Sequence, residues 1–193
     1  MTKTIKISLM ALALMVSNAV YADEYKIDDK GAHASIEFRI KHLGYSWLTG
    51  RFNTFDGNFT YSKKDMKTLV ASVNIDPASV DSNHAERDKH LRGEDFLDVK
   101  AFPKSSFVST SYHEIDENTG VLSGDLTLHG VTKSIDLNVQ RVGEGNDPWG
   151  GYRAGFTGST KFKLKDFNIV RDLGPASTEV EMTLNVEGIY EGN

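Results

Sequence analysis

A period of two dominates this sequence and limits the chain to folds built from half-buried strands. Ala34, Ile36, Phe38 and Ile40 alternate with Ser35, Glu37, Arg39 and Lys41, and His42 continues the apolar phase. Leu69, Ala71, Val73 and Ile75 repeat the pattern in Thr68 to Ile75, which Asp76-Pro77 ends because proline has no N–H for a ladder. From Ser105 onward the alternation is nearly continuous. Phe107 to Ile115 is followed by Leu122, Gly124, Leu126 and Leu128, a tight turn at His129-Gly130, and a return through Val131, Ile135, Leu137 and Val139. Ala154, Phe156, Gly158, Thr160, Phe162 and Leu164 mark the next strand, and Val180, Met182, Leu184, Val186 and Gly188 the last. With a short strand at Glu24 to Asp28, the pattern predicts an all-β protein of about eight antiparallel strands, as a barrel or a sandwich. A barrel of about eight strands has room for side chains or for one ligand.

The interruptions are as informative as the period. Phe55, Gly57, Phe59 and Tyr61 share one parity while Phe52 falls on the other, so a bulge or sharp bend is expected near Asn53 and Thr54. Between Asn83 and Arg92 the period becomes helical, with Asn83 as cap, Glu86 as its partner and Gly93 as the stop. Asp88 and Arg92 stand one turn apart and can pair. A second helical turn is expected over Asp95 to Val99, before Pro103 returns the chain to an extended path. Gly143 to Gly151 reads as a loop. Arg153, Lys161 and Lys163 make one outer face basic, and Glu179, Glu181 and Glu187 make another acidic, so the two strands fit side by side.

Lys3 and Lys6 precede an apolar run from Ile7 to Val16, and Val20 and Ala22 are small residues near its end. This predicts a secretory signal peptide cleaved after Ala22, leaving residues 23–193 as one domain of an exported, soluble protein. The remaining apolar segments are too short for a membrane span, so an integral membrane protein is not expected. The net charge is −5 and there is no cysteine. The acidic balance disfavours nucleic acid and anionic membrane surfaces as partners, and thiol chemistry and disulfides are excluded. Oligomerisation to a homodimer stays open.

The six histidines form no His-Glu-x-x-His spacing, and His84 and His90 fall on different faces of the predicted helix. No nucleophile elbow, phosphate loop or dinucleotide fingerprint is present. His42, ending a strand in apolar phase, either faces the interior and meets a ligand head group or hydrogen-bonds the bend. Trp47 and Trp149 lie in loop contexts, where they either flank an opening or pack structurally. The inward parity includes Gly57, Gly124, Ala154, Gly158 and Gly188, which either leave an internal space or mark bends and tight packing.

Several runs together carry a resemblance: Tyr25-Lys26-Ile27-Asp28, Phe38 through Leu48 (F-R-I-K-H-L-G-Y-S-W-L), Phe55-Asp56-Gly57 and Ser79 through Arg92 (S-V-D-S-N-H-A-E-R-D-K-H-L-R). Gly124-Asp125-Leu126-Thr127-Leu128, Gly130-Val131-Thr132-Lys133, Asp147-Pro148-Trp149-Gly150-Gly151 and Lys165-Asp166-Phe167-Asn168-Ile169 extend it across the mature chain. In these runs the sequence resembles the YceI-like family. The resemblance implies an extended, lipocalin-like antiparallel barrel with one short helical insertion. Its apolar tunnel would hold a long polyisoprenoid chain, such as an isoprenoid quinone precursor or a related amphiphile, in the periplasm. It implies a binding protein without cofactor, and it makes the small inward residues the expected site of the tunnel. Ile36, Phe38 and Ile40, then Phe55 and Phe59, become the expected lining of its first walls. Leu126, Leu128, Leu137, Phe156, Met182 and Leu184 extend the lining, with His42 and Trp47 near the mouth. Two other readings stand beside this one. His42 is the acid or base of an enzyme acting on such a lipid, or the charged helix docks a protein partner.

Overall fold

The computed structural model describes residues 21–31 and 33–192. Most of the expected signal peptide, residues 1–20, lies outside them. The alternating segments form eleven strands: β1 (Asp23–Ile27), β2 (Ser35–His42), β3 (Ser46–Phe52), β4 (Phe55–Ser62), β5 (Asp65–Ile75), β6 (Val80–Asp81), β7 (Ser105–Glu114), β8 (Thr119–Leu128), β9 (Val131–Asn146), β10 (Tyr152–Lys163) and β11 (Glu179–Tyr190). Among the described residues one α-helix, α1 (Ala85–Leu91), follows β6. Among the described residues no helix is long and apolar enough to cross a membrane.

The sheet closes because β1 pairs with both β4 and β11. The ring β1-β4-β5-β7-β8-β9-β10-β11 is an antiparallel barrel of eight strands, which leaves its strands no free edge. The other three strands make a flap. β11 pairs with β2 over Val180 to Asn185 and with β1 over Gly188 to Tyr190, so it changes partner partway along. From β2 the flap continues through β3 to β6. The phase slip at Asn53 and Thr54 is the corner where the chain leaves the flap for the barrel. It is a bend, held by Asn53 N–H to Ser79 O at 3.2 Å and Asp76 N–H to Thr54 O at 3.0 Å.

Local chemistry explains the turns. His129 (φ 50°) and Gly130 (φ 73°) join Leu128 to Val131 with both central residues left-handed, the twist a two-residue hairpin needs. The basic and acidic faces meet as β10 and β11, with Lys161 Nζ 2.6 Å from Glu179 Oε2.

Four local expectations are corrected. The glycine-rich loop is only 147–151, because β9 continues to Asn146. In its register Phe156 faces Arg141 and Gly155 faces Gly143, so Val142 is an extra, exposed residue on β9, and this bulge lets the strand run on. Helix α1 is capped by His84, whose Nδ1 accepts Arg87 N–H at 3.2 Å, and not by Asn83. Asp81 and Asp88 explain the difference. Asp81 Oδ1 accepts Asn83 N–H and Asp88 Oδ1 accepts Ser82 N–H, both at 2.8 Å, and this pull leaves Asn83 left-handed at φ 61°. Asp88 is therefore turned to Ser82 and not to Arg92, whose Nη1 donates to Val80 O at 3.0 Å. Finally, 94–101 is a series of hydrogen-bonded turns and not a helix, with Phe96 N–H to Gly93 O and Leu97 N–H to Leu91 O both at 3.0 Å.

Candidate functional site

Inside the barrel lies a cavity of about 720 Å³, within the range of sites that take small organic ligands. Its walls are side chains of the inward parity on nearly every strand, so the alternation read in the sequence is the wall of the site. Ile36, Phe38 and Ile40 line it from β2, Phe55 and Phe59 from β4, and Leu126 and Leu128 from β8. Leu137, Phe156, Met182 and Leu184 complete the set from β9, β10 and β11, and His42 lies at its rim.

The floor is aromatic. Phe59 and Phe156 meet edge to face at 5.4 Å, with Tyr25 stacked on Phe59 at 5.0 Å and Tyr61 against Phe156 at 5.2 Å. Behind these rings Arg141 Nη1 donates to Tyr61 Oη at 2.8 Å, and Glu144 Oε1 lies 2.8 Å from Lys63 Nζ. Burial pushes the Glu144 carboxyl up, but Lys63, Tyr61 and Tyr152 beside it outweigh that and hold the group below its ordinary value. The Lys63 ammonium offsets the charge of this buried carboxylate. Sequence reasoning missed this layer, because the bulge at Val142 changes which parity faces inward.

At the other end several elements surround the mouth. Ser177 Oγ donates to Lys41 O at 2.5 Å, which holds loop 169–177 against the end of β2. Arg171 Nη1 lies 3.3 Å from Asp95 Oδ2, which ties the same loop to the turns after α1. Lys41, His42, Leu43 and Asp172 are exposed and still line the cavity, and α1 adds Arg87, His90 and Leu91. Loop 169–177 has no period, and so no pattern pointed to its Leu173 and Gly174 as lining residues.

Three expectations about the site are corrected. Trp47 does not line the cavity. It is paired with Lys41 within the flap, on the outward parity, 42% exposed, with its ring 4.4 Å from the Arg39 guanidinium. Trp149 stands in the β9–β10 turn beside Arg153 and does not flank the mouth. The inward glycines do not leave the space either. A methyl group on Gly124 would collide with the Phe107 ring, one on Gly188 with Phe59, and one on Gly57 with the backbone of Ser72. Aromatic rings occupy the space that a side chain at Gly124 or Gly188 would need. Gly158 alone of these glycines lines the cavity directly.

Among the described residues Asp28, His33 and Glu187 are close enough to suggest a cation site. The cation is already supplied by the protein. Arg153 Nη1 donates to Asp28 Oδ2 at 2.7 Å and to Glu187 Oε1 at 2.6 Å, and its Nε donates to Asp147 Oδ2 at 2.9 Å. This cluster sits where β11 passes from β2 to β1, and through Asp28 and His33 it holds the β1–β2 connection against β10 and β11. Bonds from His33 and Arg153 hold the Asp28 carboxyl down at about 2, against an ordinary value of 3.8. A depressed carboxyl stabilises the fold above its unfolded value and loses that contribution as pH falls through the folded one. Melting temperature should therefore drop steeply between about pH 4 and pH 2, and thermal scans of Asp28→Asn should show a lower plateau with a shallower acid limb in that window.

A family model described as a YceI-like domain matches residues 25–188. A UPF0312 protein of Yersinia pestis (strain Pestoides F) is 57% identical over 183 residues, 95% of this chain and 94% of the relative. Among solved structures, a YceI protein of Campylobacter jejuni superposes with a TM-score of 0.72 at 28% identity, covering 79% of this chain and 91% of that one. A polyisoprenoid binding domain from Saccharophagus degradans shares the fold, with a TM-score of 0.65 at 19% identity, over 86% of this chain and 98% of that one. With its closed eight-stranded barrel, three-stranded flap and matching domain, this chain belongs to the YceI-like family.

Proposed function

We propose that this protein is a periplasmic binding protein that carries, stores or sequesters a polyisoprenoid or isoprenoid-quinone-like lipid in the barrel. The observation that carries the reading is the cavity: floored by aromatic rings, walled mainly by aliphatic and aromatic side chains, with its charged lining residues gathered around the mouth. A ligand complementary to it is a long apolar chain with a head group left at the rim. At ~0.8 kcal/mol per buried methylene-sized group, each isoprene unit offers several kcal/mol before ordering costs, so no strong polar anchor is needed along the chain. The polyisoprenoid binding named for the Saccharophagus degradans domain supports this class over other apolar ligands. The leader pattern of residues 1–22 supports export.

Native mass spectrometry of protein released from the periplasm by osmotic shock tests both parts. The expected species begins at Asp23 and carries an added mass that organic extraction removes and identifies as an isoprenoid lipid. Protein that is repeatedly empty, or that holds only straight-chain lipid, overturns the ligand assignment. A retained leader overturns the export assignment.

A further inference from the structure

The β2–β3 turn is built at a conformational cost that packing does not explain. Tyr45 N–H donates to His42 O at 3.0 Å, and the two central residues, Leu43 (φ 53°) and Gly44 (φ 82°), are both left-handed. Such a turn favours Asn-Gly, and leucine is a strained choice for its first central position. Leu43 is nevertheless 57% exposed, and Tyr45 beside it is 89% exposed. Exposed Trp47 follows in β3, and exposed Val170 lies in the loop held against this hairpin. Leu43 also lines the cavity, so this apolar tip is part of the rim of the mouth.

Charge distinguishes the tip from the rest of a chain whose net charge is −5. Residues 38–55 contain no aspartate or glutamate but do contain Arg39, Lys41 and Arg51. Arg39 is paired with Glu181, and Arg51 lies 4.0 Å from Asp81, while Lys41 reaches over Trp47 at 5.7 Å. At the closed end, exposed Ile115 is instead flanked by Glu114, Asp116 and Glu117. An aromatic and aliphatic tip with a cation beside it is the chemistry that enters a phospholipid interface, where Trp and Tyr sit at head-group level. The acidic remainder is repelled by an anionic bilayer within a Debye length, and this fixes which end approaches.

We propose that the β2–β3 tip docks the protein, mouth first, on the surface of a bilayer bearing anionic phospholipids. Docking concerns the tip and not the contents of the cavity, so it stands or falls separately from the ligand assignment.

The test uses the mature protein with Trp149→Phe, so that Trp47 is the reporter, and vesicles of phosphatidylethanolamine with phosphatidylglycerol. Co-sedimentation and a blue shift of Trp47 emission are expected. Leu43→Asn should weaken binding about tenfold while leaving the melting temperature unchanged or raised, since Asn-Gly suits the turn better. Lys41→Gln should weaken it about fivefold on these vesicles and not on phosphatidylcholine. Val142→Ser, at the closed end, should change nothing. Absence of vesicle binding, a Leu43→Asn variant that binds normally, or a Trp47 emission that does not move overturns the proposal. Capture of the tip by a protein in place of vesicles also overturns it.

Discussion

Phe38→Asp should empty the cavity. The Phe38 ring lies over Gly50, faces Phe52 at 5.8 Å, and sits on β2 opposite Met182 of β11, so the new carboxylate would project into a wall of hydrocarbon. In the empty barrel water reaches that carboxylate through the mouth. With a lipid chain in place it does not, and a charge among hydrocarbon is costly enough to lower affinity on the order of 100-fold, corresponding to about 3 kcal/mol. The substitution therefore acts on the bound state more than on the fold. Purified Phe38→Asp should show the far-UV spectrum of the unsubstituted protein with little or no extractable lipid. Val108→Asp, on the exposed outer face of β7, should retain its full content. Equal lipid in the two variants would mean that the occupant does not pass Phe38.

The strands were legible in the sequence for the reason that makes the cavity possible. A closed barrel has one wet face and one dry one, so alternation marks both the strand and the lining, and Phe38, Leu126 or Leu184 could be placed on the cavity side from parity alone. What parity does not report is what lies over a small inward residue. Gly124 is covered by the ring of Phe107 from the neighbouring β7 and Gly188 by that of Phe59 from β4, on the far side of β1, and no single segment reveals either register. The same limit hid the floor. Glu144 faces inward only because a bulge at Val142 shifts the phase, and the glycines around it imitate a loop. Trp47 was misplaced because its run of turn-like neighbours hides the fact that it pairs with Lys41 on the outer face. The mouth owes most to loop 169–177, whose position is set by two long-range contacts, Ser177 to Lys41 and Arg171 to Asp95, and by no local pattern.

Arg153→Met should produce the largest loss of stability of any single change outside the barrel interior. The guanidinium, itself 20% exposed, holds three carboxylates at once, and two of them are nearly out of reach of water: the Asp28 side chain is 6% exposed and that of Asp147 8%. Removing a partner from a buried pair costs more than the pair contributes, because the remaining charge stays buried without compensation. For a domain of this size the melting temperature should fall by about 5–10 °C. Arg153→Lys should recover only part of the loss, since an ammonium cannot fork between Asp28 and Asp147 as the planar group does. Arg153→Met combined with Asp28→Asn should be less damaging than the sum of the two, because the second change removes the stranded charge of the first. The position of the cluster adds a functional readout. Arg153 pins the β1–β2 connection at the point where β11 exchanges β2 for β1, and β2 carries both Phe38 and the rim at Lys41. Hydrogen exchange should therefore rise first in β2 and β3 of Arg153→Met, while β8 and β9 stay protected. Uniform loss of protection around the barrel would show that the flap and the ring unfold as one unit and that the cluster does not fasten one to the other.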